Sequence, residues 1–342
     1  MMKFPNTKVF VMAAALICIV LVFAARHHPL SRRKIKAIWH GRVYWEGESN
    51  MTMLRSAAKL MNTTIAATAT DKGDTTVDKG ATVPDEYKHV YKVIISGKEI
   101  VYDFPEIITT WSGIVFGILS GGKGSFERRQ SIRDTWCLKQ NCLFLVAGSY
   151  EDIKQEYQDK QDILWLDTTE NYFRITYKTH VFMHVAHENI DKLTYAFKTD
   201  DDSYIFTDRL KNELSLTTPK YWGRLAHKIK PMRNKDSYYY TTISVYPNEY
   251  YPDFCRGAGY ALSKFFLKCA VTKLQNAIFM PWEDVATGIL ANMCKVSVSD
   301  AGERLVGFSR KTPVTKQLIV KHYVKTAKNM MHIHSQHETN TN

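Results

Sequence analysis

Hydrophobic and polar positions fall into three regimes along the chain. Residues 9–25 form an unbroken apolar run of 17 residues between Lys8 and Arg26. As a helix this run would span about 25 Å, slightly short of a ~30 Å hydrocarbon core. It reads as an uncleaved signal anchor, a cleaved signal peptide ending near 23–25, or a buried helix. Its length exceeds the usual core of a cleaved signal, which favours the anchor. Residues 43–105 show no sustained periodicity. The stretch 62–84 is rich in Thr, Ala, Asp, Lys and Gly, a composition that buries too little apolar surface to offset its ordering entropy. It reads as a stem or linker. From Trp111 onward short apolar runs at 113–119, 143–147, 163–166 and 193–198 predict buried strands. Between them, 126–138, 150–160 and 173–189 predict helices. This alternation predicts a mostly parallel sheet covered on both faces, with ligands beyond the carboxyl ends of its strands. No internal repeat is present.

Charge sharpens this division. The 342 residues are 45% hydrophobic and carry a formal net charge of +12. Residues 1–42 hold eight basic residues and no acid, and residues 309–328 hold six and no acid. The body, 43–308, is nearly neutral, which disfavours a nucleic-acid-binding body. The basic residues after the apolar run would by themselves keep the body cytosolic. The glycosylation acceptors Asn50-Met51-Thr52 and Asn62-Thr63-Thr64 point the other way, so these signals leave the orientation open. Of the six cysteines, Cys18 lies in the apolar run. Cys137 and Cys142 are close enough to bridge a helix end to the next strand. Cys255, Cys269 and Cys294 offer a second bridge, and the alternative is that all five are reduced and buried. No spacing suggests structural zinc.

The sharpest candidate chemistry is Lys198-Thr199-Asp200-Asp201-Asp202, directly after a strand. Adjacent carboxylates repel one another unless a cation or solvent neutralises them, and oxygen ligands suit Mg²⁺ or Mn²⁺. The bland reading is a solvated acidic turn. A glycine-rich stretch, 121–124, precedes Arg128, Arg129 and Arg133, which read as phosphate contacts or as one face of a basic amphipathic helix. Glu283 and Asp284 open a helix, as a capping pair or as a general base. The aromatic and small residues from Tyr250 to Ser263 suit a sugar face, or else a β-hairpin or a core strand. His322 lies on a short strand, where a structural role is the commoner one.

In this order, several stretches resemble the β-1,3-galactosyltransferase family, glycosyltransferase family 31, which includes β-1,3-N-acetylglucosaminyltransferases and is related to Fringe. They are residues 128–136 (RRQSIRDTW), Glu170-Asn171-Tyr172 through Thr176-Tyr177-Lys178-Thr179, 197–202 (FKTDDD), 251–260 (YPDFCRGAGY) and 283–288 (EDVATG). The resemblance covers about 112–325. It implies a GT-A type nucleotide-diphospho-sugar transferase fold, α/β, with a mostly parallel central sheet and helices on both faces, behind one N-terminal transmembrane helix. It also implies a single-pass type II Golgi membrane protein, with a cytoplasmic tail (1–8), a signal anchor (9–25), a stem (26–108), a luminal catalytic domain (109–328) and a flexible tail (329–342).

The implied reaction is inverting transfer of a hexose, galactose first, from a UDP-sugar to the 3-hydroxyl of an acceptor glycan on glycoprotein or glycolipid. Mn²⁺ would be the cofactor. Asp284 would be the catalytic base, and Asp202 and His322 metal ligands. Asp200 and Asp201 would help hold metal and ribose. Arg128, Arg129, Arg133 and Lys178 would line the donor side. Tyr251, Gly257, Gly259, Trp282 and Glu283 would meet acceptor or sugar. Asn50 and Asn62 would carry glycans. Departures at Glu170, at Arg174-Ile175-Thr176 and at Gly257-Ala258-Gly259 bear on sugar preference more than on reaction class. The competing readings are an N-acetylglucosaminyltransferase of the same fold, a metal-dependent phosphatase or nuclease on the Asp triplet, and a non-catalytic membrane-anchored sugar-binding protein. A homo-oligomer is compatible with all of them.

Overall fold

In the computed structural model of the protein, the structure describes residues 35–39, 42–45 and 90–341. The apolar run 9–25, Asn50, Asn62 and the stretch 62–84 lie outside them. Among the described residues no helix is long and apolar enough to cross a membrane. The chain divides into two units, Met1–Thr82 and Val83–Asn342. In the first, β1 (Ile35–Trp39) and β2 (Arg42–Trp45) pair antiparallel.

The second unit is built on a nine-stranded sheet. Its strands are β3 (Tyr91–Ile95), β4 (Lys98–Asp103), β5 (Ser112–Leu119), β6 (Asn141–Ala147), β7 (Ile163–Leu166), β8 (Lys192–Asp200), β10 (Tyr221–Ala226), β11 (Phe254–Ser263) and β12 (Val298–Asp300). The order across the sheet is β12-β10-β11-β8-β5-β6-β7-β4-β3. The centre, β8-β5-β6-β7, is parallel. On one side β11 runs antiparallel to both β8 and β10. On the other, β3 and β4 add an antiparallel edge. The sheet is therefore mixed rather than mostly parallel. Its central strands were visible as apolar runs, whereas β11 reads by composition as aromatic and glycine-rich.

Period-2 alternation assigns each strand residue to a face. Val115 and Leu119 of β5 join one core, which holds α3 (Ile175–Asn189) and α5 (Lys264–Lys273) through Phe182 and Phe266. Phe116 and Ile118 join the opposite core, with Ile132 of α1 (Phe126–Arg133), Tyr157 of α2 (Lys154–Lys160) and Leu210 of α4 (Thr207–Thr217). A third cluster packs Phe254 and Trp282 against Val285 and Ile289 of α6 (Glu283–Met293). A smaller sheet, β13 (Val306–Gly307), β14 (Val320–Lys321) and β9 (Tyr204–Ile205), lies beyond the end of β8. Its strand β13 directly follows the short helix α7 (Gly302–Leu305).

Two expected boundaries move. β3 and β4 belong to the main sheet, so the expected stem limit at 108 falls inside the folded unit. The expected flexible tail is helix α8 (Ala327–Thr341), whose Met330 and Ile333 are buried in the second core. Cys137–Cys142 and Cys269–Cys294 form disulfides, and Cys255 is free and buried.

Candidate functional site

The site gathers where parallel strands β5 and β8 end. Register places Leu119 beside Asp200, and the chain turns there through Asp201 and Asp202. The Asp201 amide donates to the Leu119 carbonyl at 3.0 Å. The Asp201 carboxylate is buried, accepting from Ser120 Oγ at 2.8 Å and facing an Arg128 guanidinium nitrogen at 3.1 Å. Burial, only partly countered by Arg128 and Ser120, pushes its pKa up to about 6.

Asp202 meets a different chain segment. β14 pairs antiparallel with β9, Lys321 opposite Tyr204, and the Val324 amide donates to the Asp202 carbonyl at 2.7 Å. This brings His322 Nε2 to 3.0 Å from Asp202 and 3.7 Å from Asp200. One ligand atom from each of Asp200, Asp202 and His322 lies within 4.8 Å of the others. Two carboxylates and an imidazole are a donor set that suits Mn²⁺. Burial opposes charge on Asp202, but the hydrogen bond and charge of His322, then Lys325 and Arg128, outweigh it and hold its pKa below the usual value.

The third group is Asp284, in the first turn of α6. Beneath it lies a buried network. Lys198 Nζ reaches Asp200 at 2.8 Å, Glu283 at 2.9 Å and the Gly257 carbonyl at 2.7 Å. Glu283 also accepts from the Tyr260 hydroxyl, which contacts Thr287 at 3.1 Å. Lys198 loses solvation by burial, yet Asp200 and Glu283 together raise its pKa above the ordinary lysine value. Asp284 is more exposed than Glu283. Desolvation first and the Glu283 charge second, against the pull of Lys198, push its pKa up to about 7. A carboxylate that titrates near neutrality is suited to accept a proton. A Cβ on Gly257 would sit 3.8 Å from Asp284 and 3.5 Å from Lys198, so this glycine lies over the network.

Other expected contacts have different surroundings. Arg129 is fully buried, paired with Glu156 and donating to the Gly121 and Gly122 carbonyls. Arg133 pairs with Asp162 at 2.7 Å and Glu156 at 2.8 Å. Both tie α1 to α2 and to the turn before β7, and Arg129 Nη1 also donates to Ser120 Oγ at 3.1 Å, the hydroxyl that bonds Asp201. Lys178 is buried against Glu170 and the Ser120 carbonyl, supporting the end of β5. Tyr251 is buried with its hydroxyl on Thr241, and Gly259 packs under Phe197 and Val320. Neither presents a surface to a sugar. Glu283 is likewise engaged by Lys198 and Tyr260. Lys321 donates to the carbonyls of Ser309, Arg310 and Thr312, a loop-fixing role. The sequence assigns no role to Ser120, and it names Lys198 and Tyr260 only within their motifs, without a role of their own. Pairing β11 with β8 puts Tyr260 opposite Lys198, and only that register reveals their link.

The Galactosyltransferase family profile matches residues 127–301, just over half of the chain. The chain belongs to the galactosyltransferase family. The match includes Arg128, the Asp triplet and Asp284, and ends before His322. The chain is 28% identical over 205 residues to beta-1,3-galactosyltransferase 2 of Homo sapiens, covering 54% of this chain and 46% of that protein. It is 28% identical over 188 residues to beta-1,3-galactosyltransferase 1 of Mus musculus, covering 50% of this chain and 58% of that one. The chain thus spans about half the length of the relatives it matches. Among solved structures it is similar to the galactosyltransferase LgtC in complex with donor and acceptor sugar analogues. That likeness covers 66% of this chain and 95% of the other, at 14% identity and a TM-score of 0.37.

Proposed function

We propose that this galactosyltransferase-family chain is an inverting β-1,3-galactosyltransferase with a GT-A type catalytic domain. It moves galactose from UDP-galactose to the 3-hydroxyl of an acceptor glycan. The observation that carries the reading is one juxtaposition. A divalent-cation ligand set, Asp200, Asp202 and His322, adjoins the start of α6, where Asp284 is the more exposed carboxylate of the Glu283-Asp284 pair and burial pushes its pKa up to about 7. Inversion needs one base, not the two carboxylates of a retaining hydrolase.

In this reading Asp284 takes the proton from the attacking acceptor hydroxyl. Lys198 and Glu283 keep the start of α6 against the end of β8, so that Asp284 stays beside Asp200. Asp202, Asp200 and His322 would hold Mn²⁺, which when bound would supply neutralisation of the charge that builds on the departing diphosphate. Arg128 and Lys325, whose charges both act on Asp202, add cationic partners for that diphosphate.

Two further features support a luminal, type II arrangement in the Golgi membrane. Residues 9–25 suit a signal anchor, and Cys137–Cys142 and Cys269–Cys294 suit an oxidising compartment. Asp284→Asn is expected to keep Mn²⁺-dependent UDP binding by calorimetry while transfer falls by about 10²–10⁴-fold. Asp202→Ala is expected to abolish the Mn²⁺-dependent part of UDP affinity. Normal turnover by folded Asp284→Asn would remove the base assignment.

A further inference from the structure

Next to Asp284 the surface carries an aromatic wall that the reaction as described does not use. Tyr172, Phe173, Tyr238 and Tyr239 are 48%, 40%, 53% and 54% exposed. They come from two distant segments. Tyr172 and Phe173 follow β7, in a turn fixed by the Asn171 side chain, which accepts from the Phe173 amide at 2.8 Å. Tyr238 and Tyr239 lie in the long irregular connection 227–253 between β10 and β11. Loops of that length without secondary structure are uncommon in compact domains unless they have a function.

The segments meet through their rings. Tyr238 lies 5.5 Å from Tyr172 and 5.1 Å from Phe173, centroid to centroid. Trp282 backs the group, 5.8 Å from Phe173 and 5.1 Å from Tyr239. Its indole N–H is held by Thr241 Oγ1 at 2.9 Å, and that oxygen also meets the Tyr251 hydroxyl. Arg233 ties the loop down by donating to the carbonyls of Thr241, Tyr246 and Asn248. The rings are therefore held in place before any ligand arrives, which lowers the ordering cost of binding.

Position says what the wall serves. Trp282 immediately precedes the first turn of α6, two residues before Asp284. Tyr172 also feels the Asp284 and Asp200 carboxylates, behind the larger effects of burial and Tyr239. Arg128 and Lys325, by contrast, act on Asp202. The wall thus continues the site on its Asp284 side, where the acceptor hydroxyl must arrive. None of its side chains is charged. Ring faces take the C–H face of a pyranose, and the tyrosine hydroxyls can bond its edge.

We propose that Tyr172, Phe173, Tyr238 and Tyr239 form an acceptor subsite that stacks neutral pyranose units of the glycan being extended. This rests on the transferase reading above. The subsite makes the enzyme prefer an oligosaccharide acceptor over its terminal monosaccharide alone. Neither Tyr238 nor Tyr239 is needed in the core, so Tyr238→Ala and Tyr239→Ala, alone and combined, are suitable variants, with Tyr239→Phe as the ring-retaining control.

The experiment pairs steady-state kinetics with saturation-transfer NMR on the full chain. Its probes are a neutral tetrasaccharide of alternating galactose and N-acetylglucosamine and the corresponding monosaccharides. The double variant is expected to raise KM for the tetrasaccharide about tenfold, with a smaller change in kcat and unchanged UDP affinity. It is also expected to lose the saturation signal from the internal sugar units, while Tyr239→Phe keeps most of both. If no sugar transfer occurs but tetrasaccharide binding is lost in the double variant, the subsite stands and the transferase reading fails. Transfer with tetrasaccharide KM and saturation signal both unchanged in the double variant would overturn the subsite and leave the transferase reading intact.

Discussion

Lys198 shows how much one residue can organise. It is buried, and its ammonium lies between Asp200 and Glu283. Removing one partner of such a network strands the other charges in a low-dielectric setting, a loss of about 3–5 kcal/mol. Lys198→Met is therefore expected to lower unfolding stability by that order in a urea titration. Lys198→Met combined with Glu283→Gln should recover part of it, because the more deeply buried of the two stranded charges is gone and an amide can still accept from Tyr260. Equal stability of single and double variants would show that Glu283 is not the group Lys198 compensates. The site was legible in the sequence where chemistry is local. Asp200, Asp202 and Asp284 stand out because carboxylates cluster or open a helix. Arg129 and Arg133 stand out for the same reason, since a basic stretch after glycines resembles a phosphate site, but their ion-pair partners are not legible in the sequence. Only the fold shows Glu156 and Asp162 reaching them from across α2 and its neighbouring turn.

At the scale of elements, the base is placed by the packing of α6 on β11. Gly288 lies one turn beyond Asp284 on that helix. A Cβ there would come 2.5 Å from Phe254 Cβ and 2.9 Å from the Asp253 carbonyl. Neither neighbour is the end of a flexible side chain, so the helix must shift. Gly288→Ala is expected to cost about 1–3 kcal/mol of stability and to lower kcat more than UDP affinity; an unchanged Tm and kcat would contradict the packing argument. Elements built on clean periodicity were readable: β5, β6, β7 and α3 match their apolar patterns. The β3–β4 hairpin lies in a region without sustained periodicity, and only Ser96-Gly97 between short alternating runs gives a turn signal. Both residues adopt positive φ, 52° and 74°. Helix α8 escaped notice because its buried apolar anchors, Met330 and Ile333, are too few to set a pattern in a polar stretch.

At the scale of the molecule, the +12 charge resolves into separate tasks. Part flanks the apolar run at 9–25, and part lies between residues 309 and 328. There Lys321 holds a loop and Lys325 acts on Asp202. The body around the site is close to neutral, so its electrostatics are those of a few placed groups. This gives a pH dependence with a definite sign. Asp284, with its pKa pushed up to about 7, cannot accept a proton while protonated. Transfer should therefore rise with pH as Asp284 ionises. A cation at Asp200, Asp202 and His322 cancels part of the negative field, placing the loaded enzyme's limb at or below pH 7. Asp284→Asn should leave a residual rate without this limb; a limb that persists in the variant would assign it to another group.

The most direct measurement is the structure of the product. Purified protein with Mn²⁺, UDP-galactose and a panel of glycan acceptors should release UDP and form a new glycosidic bond. NMR of the isolated product is expected to show a β-configured galactose on the 3-position of the acceptor sugar. An α-linked product would contradict inversion with Asp284 as sole base. Absence of transfer from UDP-galactose, together with Mn²⁺-dependent hydrolysis of simple phosphate esters, would contradict the transferase reading itself.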